Sequence, residues 1–114
     1  MLEKSEAFAG RVVRLNQYLI TQKHEFVISK QILRSGTSIG ANVMESRNAQ
    51  STADFIHKLN IALKEADETT YWIKNLYNGG FINKKEYESI FKDAEELVKI
   101  LVSSIKTLKK KVGA

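Results

Sequence analysis

The chain has 114 residues, of which 43% are apolar and 27% charged, and its formal net charge is +5. These proportions are typical of one folded globular domain and exclude an intrinsically disordered chain. The sequence contains neither cysteine nor proline, which excludes disulfides and thiolate chemistry and leaves long helices without their strongest breaker.

The first predicted helix covers about residues 5–22. Apolar residues recur along it at steps of three and four, the spacing that places them on one face of an α-helix. The residues of this face are Phe8, Val12, Leu15 and Leu19. A short connection through His24 and Glu25 leads to the next helix.

The second predicted helix covers about residues 26–48 and is unusual because small residues occupy its middle. Apolar residues still recur at helical spacing, at Ile28, Ile32, Ile39 and Val43. Gly36 and Gly40 lie beside this face, with Thr37 and Ser38 between them. Each interior glycine costs about 1 kcal/mol relative to alanine. The pattern therefore predicts that another backbone approaches this helix closely.

Ser51-Thr-Ala-Asp54 matches a capping box with aspartate in the glutamate position, and it predicts a third helix over about residues 52–77. One apolar stripe then continues for six turns, through Phe55, Leu59, Ala62, Ala66, Thr69, Ile73 and Leu76. Asn78-Gly79-Gly80 ends this helix, because glycine adopts the left-handed conformation without strain.

Asn83-Lys-Lys-Glu86 is a second capping box and predicts a fourth helix over about residues 83–110. Its stripe consists of Tyr87, Ile90, Ala94, Leu97, Leu101, Ser104 and Leu108. Four helices with three short connections predict an all-α fold, an up-down-up-down antiparallel four-helix bundle that forms a single domain over residues 1–114.

The third and fourth helices carry more apolar residues than one core face uses. These additional residues are Ile56, Leu63, Tyr71, Trp72, Ile100 and Val102. A second apolar face is often buried against another subunit, so the pattern favours a homo-oligomer. The alternative is a monomer with a few exposed apolar side chains, which is common.

No arrangement of residues indicates catalysis. Asp54 and His57 have the spacing of half a di-iron motif, but the chain lacks the second half. A carboxylate-metal site would have to combine Glu45, Glu65, Glu68 and His57. We predict no enzyme activity, no cofactor and no metal.

A line of polar residues follows the second helix at near-helical spacing: Arg34, Ser38, Asn42 and Glu45. One interpretation is a ligand or partner groove lined by Asn42 and Glu45. The favoured interpretation is a network between helices in which Arg34 pairs with Glu65 or Glu68, because buried polar groups require partners.

Basic residues offer the one chemical hypothesis, contact with nucleic acid. Residues 103–114 contain four lysines and no acidic residue. The predicted contact residues are Arg11, Arg14, Arg47, Lys106, Lys109, Lys110 and Lys111, provided that the fold brings them together. The alternative is a solvated lysine-rich end that only keeps the protein soluble.

The chain has no uncharged stretch near the ~20 apolar residues that a membrane span needs. Its N-terminus, Met1-Leu-Glu-Lys-Ser-Glu6, does not have the pattern of a secretory signal. We therefore expect a cytoplasmic protein without a membrane partner.

Two segments resemble a known family, the four-helix-bundle proteins encoded in intervening sequences of bacterial 23S ribosomal RNA genes. The resemblance extends over about residues 8–108 and is carried by Gln31-Ile-Leu-Arg-Ser-Gly-Thr-Ser-Ile-Gly-Ala-Asn-Val-Met-Glu-Ser46 and by residues 53–73. Its most specific positions are Arg34, Ser35, Ser38, Ile39, Asn42, Glu45, Phe55, Leu59, Ala62 and Glu68. Many members have glycine where this chain has Ser46.

The resemblance implies an assembly rather than a reaction. Relatives form ring-like homopentamers, and a related branch serves as the accessory protein of diversity-generating retroelements, where a basic pentamer engages a reverse transcriptase and nucleic acid. The chain is accordingly expected to be a pentamer that binds RNA or another nucleic acid. The alternative expectation is a scaffold or accessory subunit for a nucleic-acid enzyme, and the resemblance supplies no catalytic residue.

Overall fold

The computed structural model describes residues 1–113, and these residues form four α-helices and no strand. The helices are α1 (Leu2–Gln22), α2 (Ile28–Ser46), α3 (Thr52–Asn78) and α4 (Lys84–Gly113). The predicted all-α fold class is confirmed. Over the described residues, none of these helices has an apolar stretch that could cross a bilayer.

Contacts between helices show that neighbours run in opposite directions. Along α2 and α3, Ser35 bonds to Thr69, whereas Glu45, further along α2, reaches back to Lys58. Contacts occur between α1 and α2, between α2 and α3, between α3 and α4, and between α1 and α4. This packing is that of an antiparallel bundle, 51 × 22 × 20 Å along its principal axes.

The core consists of the apolar stripes that helical spacing identifies. Its largest fully buried apolar side chains come from all four helices: Val12, Leu19, Ile32, Ile39, Leu59, Ile73, Leu76, Leu97 and Leu101. Burying a side chain of this size contributes about 1.5–3 kcal/mol. The core therefore fixes which face of each helix points inward and which residues remain outside.

The small residues of α2 pack against α1, as the sequence predicts, but the two glycines differ. A Cβ atom at Gly36 would lie 2.7 Å from Cγ2 of Val12, so any side chain there would collide with it. A Cβ atom at Gly40 would lie 3.4 Å from Oγ of Ser5, an ordinary van der Waals distance. Only Gly36 is required by close packing.

Side chains cap the N-terminal ends of α2, α3 and α4, whereas α1 begins without a side-chain cap. The Asn83–Glu86 capping box forms in both directions, with N–H···O distances of 2.8 and 2.9 Å. At α2 the cap comes from Glu25, whose carboxylate accepts N–H bonds from Val27, Ile28 and Ser29. This cap explains why α2 begins at Ile28 instead of near residue 26, because Glu25 occupies its first free N–H groups.

Candidate functional site

Two residues of the polar line on α2, Arg34 and Glu45, form contacts with α3. The predicted pairing of Arg34 is confirmed: its guanidinium contacts Glu65 at 3.0 Å and also contacts Glu68. The hydrogen bond to Glu68 raises the pKa of Arg34, because it stabilises the charged guanidinium. Lys58 lies 3.4 Å from Glu45 further along the same pair of helices.

Other residues of the resemblance complete this α2–α3 contact. The hydroxyl of Thr69 donates to that of Ser35 at 2.9 Å in a fully buried position. Ser38 and Asn42 instead donate to carbonyl oxygens of their own helix. Ile39, Leu59 and Ala62 are fully buried and Phe55 is half-buried, so these four positions serve packing.

The alternative metal site lacks converging ligands. Within residues 1–113, no three side chains of the ligating types come close enough to hold a metal ion. Glu45, Glu65 and Glu68 each contact a cation of the protein, and His57 is exposed. Asp54 accepts an N–H bond from Gln50 beside the start of α3.

The structure divides the predicted basic residues into two separate groups. Lys106, Lys109 and Lys110 line a surface pocket on the last turns of α4, and Lys111 is exposed beside them. Arg47 belongs to the same end of the bundle, because it lines an adjacent pocket together with Leu108 of α4. These five residues are the C-terminal basic end.

Arg11 and Arg14 lie elsewhere, on the side of α1 that faces the first half of α4. Nη1 of Arg11 is 2.6 Å from the carboxylate of Asp93. Asp93 precedes Lys106 by thirteen residues on α4, which corresponds to ~20 Å at 1.5 Å per residue. The fold therefore does not unite Arg11 and Arg14 with the C-terminal basic end.

A groove between α1 and α4 surrounds these two arginines, and the sequence did not reveal it. Long side chains bridge this pair of helices, Lys4 to Glu96 and Arg11 to Asp93. The larger pocket of this α1–α4 groove has a volume of about 440 Å³. It is lined by Arg11, Arg14, Leu15, Tyr18, Ile82, Lys85, Glu86, Ser89 and Ile90.

A second pocket of about 300 Å³ continues the groove along α1 and shares Arg11 and Arg14 with the first. The groove could have been suspected from α1 alone, because Arg11, Arg14, Leu15 and Tyr18 share one face at helical spacing. No feature of the sequence shows, however, that α4 stands apart from this face.

Exposed apolar side chains are concentrated where the sequence did not place them. Of the predicted second face, Tyr71 is exposed, and the other five residues are half-buried: Ile56, Leu63, Trp72, Ile100 and Val102. A larger exposed set belongs to α1, α2 and the loop between them: Val13, Ile20, Phe26, Val27 and Met44. Phe26 and Val27 are adjacent in that loop and are 59% and 72% exposed.

Comparisons with known proteins agree with this architecture. The family model of 23S rRNA-intervening sequence proteins matches residues 1–103. The chain is similar to the crystal structure of a protein with unknown function from the S23 ribosomal protein family of Bacteroides thetaiotaomicron. The two are 56% identical with a TM-score of 0.91, over 92% of this chain and 97% of the other. No curated protein matches the chain.

Proposed function

Because the chain belongs to the family of 23S rRNA-intervening sequence proteins, we propose that it is a non-enzymatic cytoplasmic protein that binds RNA and forms a homopentamer. RNA contacts the C-terminal basic end, and copies of the chain associate through exposed apolar residues of α1, α2 and the loop between them. The two surfaces are distinct, so one assembly presents several basic ends to one RNA.

The observation that supports RNA binding is the local excess of positive charge. Three lysines of α4 line one surface pocket, with a fourth beside them, and no acidic residue occurs from residue 103 onward. Phosphates bound there would meet no competing carboxylate from this helix end. Such contact is independent of sequence and weakens as salt displaces the RNA.

A fluorescence-anisotropy titration with labelled single-stranded RNA tests this proposal. If four lysines contact phosphates, the dissociation constant should rise about 50-fold between 50 and 200 mM salt. Replacing Lys106, Lys109, Lys110 and Lys111 with glutamine should weaken binding and flatten that salt dependence.

The matched control replaces four other exposed lysines with glutamine, Lys30, Lys64, Lys74 and Lys92. Both variants lose the same charge, so only the position of the charge differs between them. Absence of binding at low salt, or equal losses in the two variants, would contradict the proposal.

Self-association is supported by Phe26 and Val27, which expose apolar surface in a connecting loop. Light scattering should give a mass about five times the 12.9 kDa of one chain. Replacing both residues with serine should release monomers, whereas Tyr71→Ser, an exposed aromatic residue on α3, should leave the assembly intact. A monomeric natural protein would contradict this part of the proposal.

A second candidate function is that of a scaffold or accessory subunit for a nucleic-acid enzyme such as a reverse transcriptase. The same loop favours it, because Phe26 and Val27 could contact a different protein. A protein partner that co-purifies after nuclease treatment and is lost from the Phe26→Ser/Val27→Ser variant would support this candidate. A partner lost on nuclease treatment would instead be bound through RNA.

A further inference from the structure

The α1–α4 groove combines positive charge, an aromatic ring and an apolar floor in one pocket. We propose that it binds one unpaired nucleotide of an RNA strand, with the base against Tyr18 and the phosphate between Arg14 and Lys85. This inference rests on the proposed RNA binding, but it concerns a different surface from the C-terminal basic end. It adds recognition of unpaired bases to a contact that otherwise reads only phosphate charge.

The charges of the groove are suited to a phosphate. Arg11, Arg14 and Lys85 line the larger pocket, and Glu86 is the single acidic residue among its lining residues. Glu86 is engaged, because its Oε1 accepts the N–H of Asn83 at 2.9 Å. Arg11 is occupied by Asp93 and by Ser89, with Nη2 3.1 Å from the hydroxyl of Ser89.

Arg14 and Lys85 are the cations that remain available. Both are exposed, and in the described part of the chain neither forms an ion pair. Arg14 belongs to α1 and Lys85 to α4, so a phosphate bound by both contacts both helices. Lys23 is not a lining residue of the pocket, and its Nζ lies over the Tyr18 ring, 6.0 Å from the ring centre.

The interior of the pocket is suited to a base rather than to a second phosphate. Leu15, Ile82 and Ile90 form an apolar floor, and Tyr18 supplies an aromatic surface beside it. Unpaired bases stack on aromatic side chains in this way, and the interaction tolerates any base because each has a π-face. The volume of about 440 Å³ lies within the range of small-molecule pockets.

A base in a duplex cannot enter such a pocket, because it remains stacked and paired within its helix. The groove should therefore distinguish unpaired from paired RNA, which the C-terminal lysines cannot do. This difference separates the inference from the proposed function.

The experiment measures the affinity of the full-length protein for a labelled unpaired RNA oligonucleotide and for a duplex of the same length, at low salt. The natural protein is compared with Tyr18→Leu, which keeps an apolar side chain but removes the ring, and with Tyr18→Phe, which keeps the ring. A charge variant, Arg14→Gln/Lys85→Gln, is compared with Lys30→Gln/Lys64→Gln, which removes the same charge from α2 and α3. Circular dichroism confirms that each variant is folded.

We expect Tyr18→Leu to weaken binding of the unpaired oligonucleotide about tenfold, as loss of one base–aromatic stack does, with little change for the duplex. Tyr18→Phe should bind like the natural protein. The Arg14→Gln/Lys85→Gln variant should weaken binding more than its charge-matched control.

Four results would overturn the inference. If natural protein binds RNA but Tyr18→Leu and the charge variant behave like their controls, the groove is not a site and the proposed function stands. If the charge variant has an equally reduced affinity for unpaired and duplex RNA while Tyr18→Leu keeps both affinities, the groove contributes only positive charge and does not bind a base. If polyglutamate or a free nucleotide displaces the oligonucleotide as well as unlabelled RNA does, the ligand is not an RNA strand. If no RNA binds at low salt, both the inference and the proposed function fail.

Discussion

Helix α1 contacts two neighbours in different ways, and the difference separates the part of the molecule that fixes the fold from the part that is free to bind. Against α2, the contact is close because Gly36 has no side chain and so leaves space for the fully buried Val12 of α1. Against α4, the contact is made by long charged side chains, Lys4 to Glu96 and Arg11 to Asp93.

These two contacts should respond differently to substitution. A packed interior has almost no empty space, so an added methyl group forces its neighbours to move. A bridge of flexible, half-exposed side chains can rearrange in water at little cost. Substitutions in the α1–α2 contact should therefore destabilise the protein strongly, whereas substitutions in the α1–α4 contact should have little effect.

The largest expected effect is that of Gly36→Ala. The new Cβ atom would lie 2.7 and 2.9 Å from the two γ carbons of Val12, a buried β-branched residue with one preferred rotamer in a helix. Overpacking costs about 1–3 kcal/mol, and the better helix propensity of alanine returns about 1 kcal/mol. Urea denaturation should show a net loss of up to about 2 kcal/mol in the free energy of unfolding.

Gly40→Ala is the matched control, because its Cβ atom would meet only ordinary contact distances against Ser5. We expect it to be neutral or to stabilise the protein by up to about 1 kcal/mol. In a protein that already carries Val12→Ala, Gly36→Ala should be much less harmful, because only Cβ of residue 12 would remain close, at 3.2 Å. Equal losses for both glycines, or no rescue by Val12→Ala, would show that close packing is not the reason for Gly36.

The next effect concerns Glu25, which lies in the loop between α1 and α2 and caps the start of α2. Burial alone raises the pKa of Glu25, but N–H bonds from Ile28, Ser29 and Val27 together outweigh it and lower the pKa below the ordinary value. A lowered pKa in the folded state contributes stability above the unfolded pKa and loses it as pH falls through the folded pKa. We expect Glu25→Gln to lose about 1 kcal/mol at pH 7.

The difference between Glu25→Gln and the natural protein should shrink as the pH falls below the ordinary pKa of a glutamate, because the natural carboxylate becomes protonated as the pH passes through its lowered folded-state pKa. Urea denaturation at neutral and acidic pH measures this change. Glu6→Gln, at an exposed position of α1, is the control and should show no comparable dependence. A difference that stays constant with pH would mean that the charge of Glu25 does not matter for the cap.

The sequence was sufficient for features that depend on neighbours along the chain. Helical periodicity identified the buried stripes, and the spacing of Asn83 and Glu86 identified a capping box that forms in both directions. Arg34 could be paired with α3 because its carboxylate partners lie on the next helix along the chain. Each of these signals depends on local chemistry or on the packing of consecutive helices.

Features that depend on distant parts of the chain could not be predicted. Arg11 and Ser89 are 78 positions apart, and their contact depends on how α1 and α4 are displaced along their axes relative to each other. The same displacement separates Arg11 from the lysines at the end of α4. The cap by Glu25 could not be predicted for a different reason. Glu25 follows His24, which has a positive φ of 51°, and no common capping pattern begins with such a residue.

The smallest expected effect tests the tolerant side of the comparison. Replacing Lys4 and Arg11 with methionine removes both bridges to α4 but keeps apolar stems of similar length. All four partners are at least one-third exposed, so screening by water leaves each ion pair worth well under ~1 kcal/mol. Urea denaturation, at the same protein concentration as for Gly36→Ala, should show a smaller loss in the free energy of unfolding than Gly36→Ala does.

Asp93→Asn alone should change stability even less, because Arg11 would keep its bonds to Ser89. If the double variant instead destabilised the protein more than Gly36→Ala, the bridges would hold the bundle together. The groove would then be a structural seam with no freedom to admit a ligand.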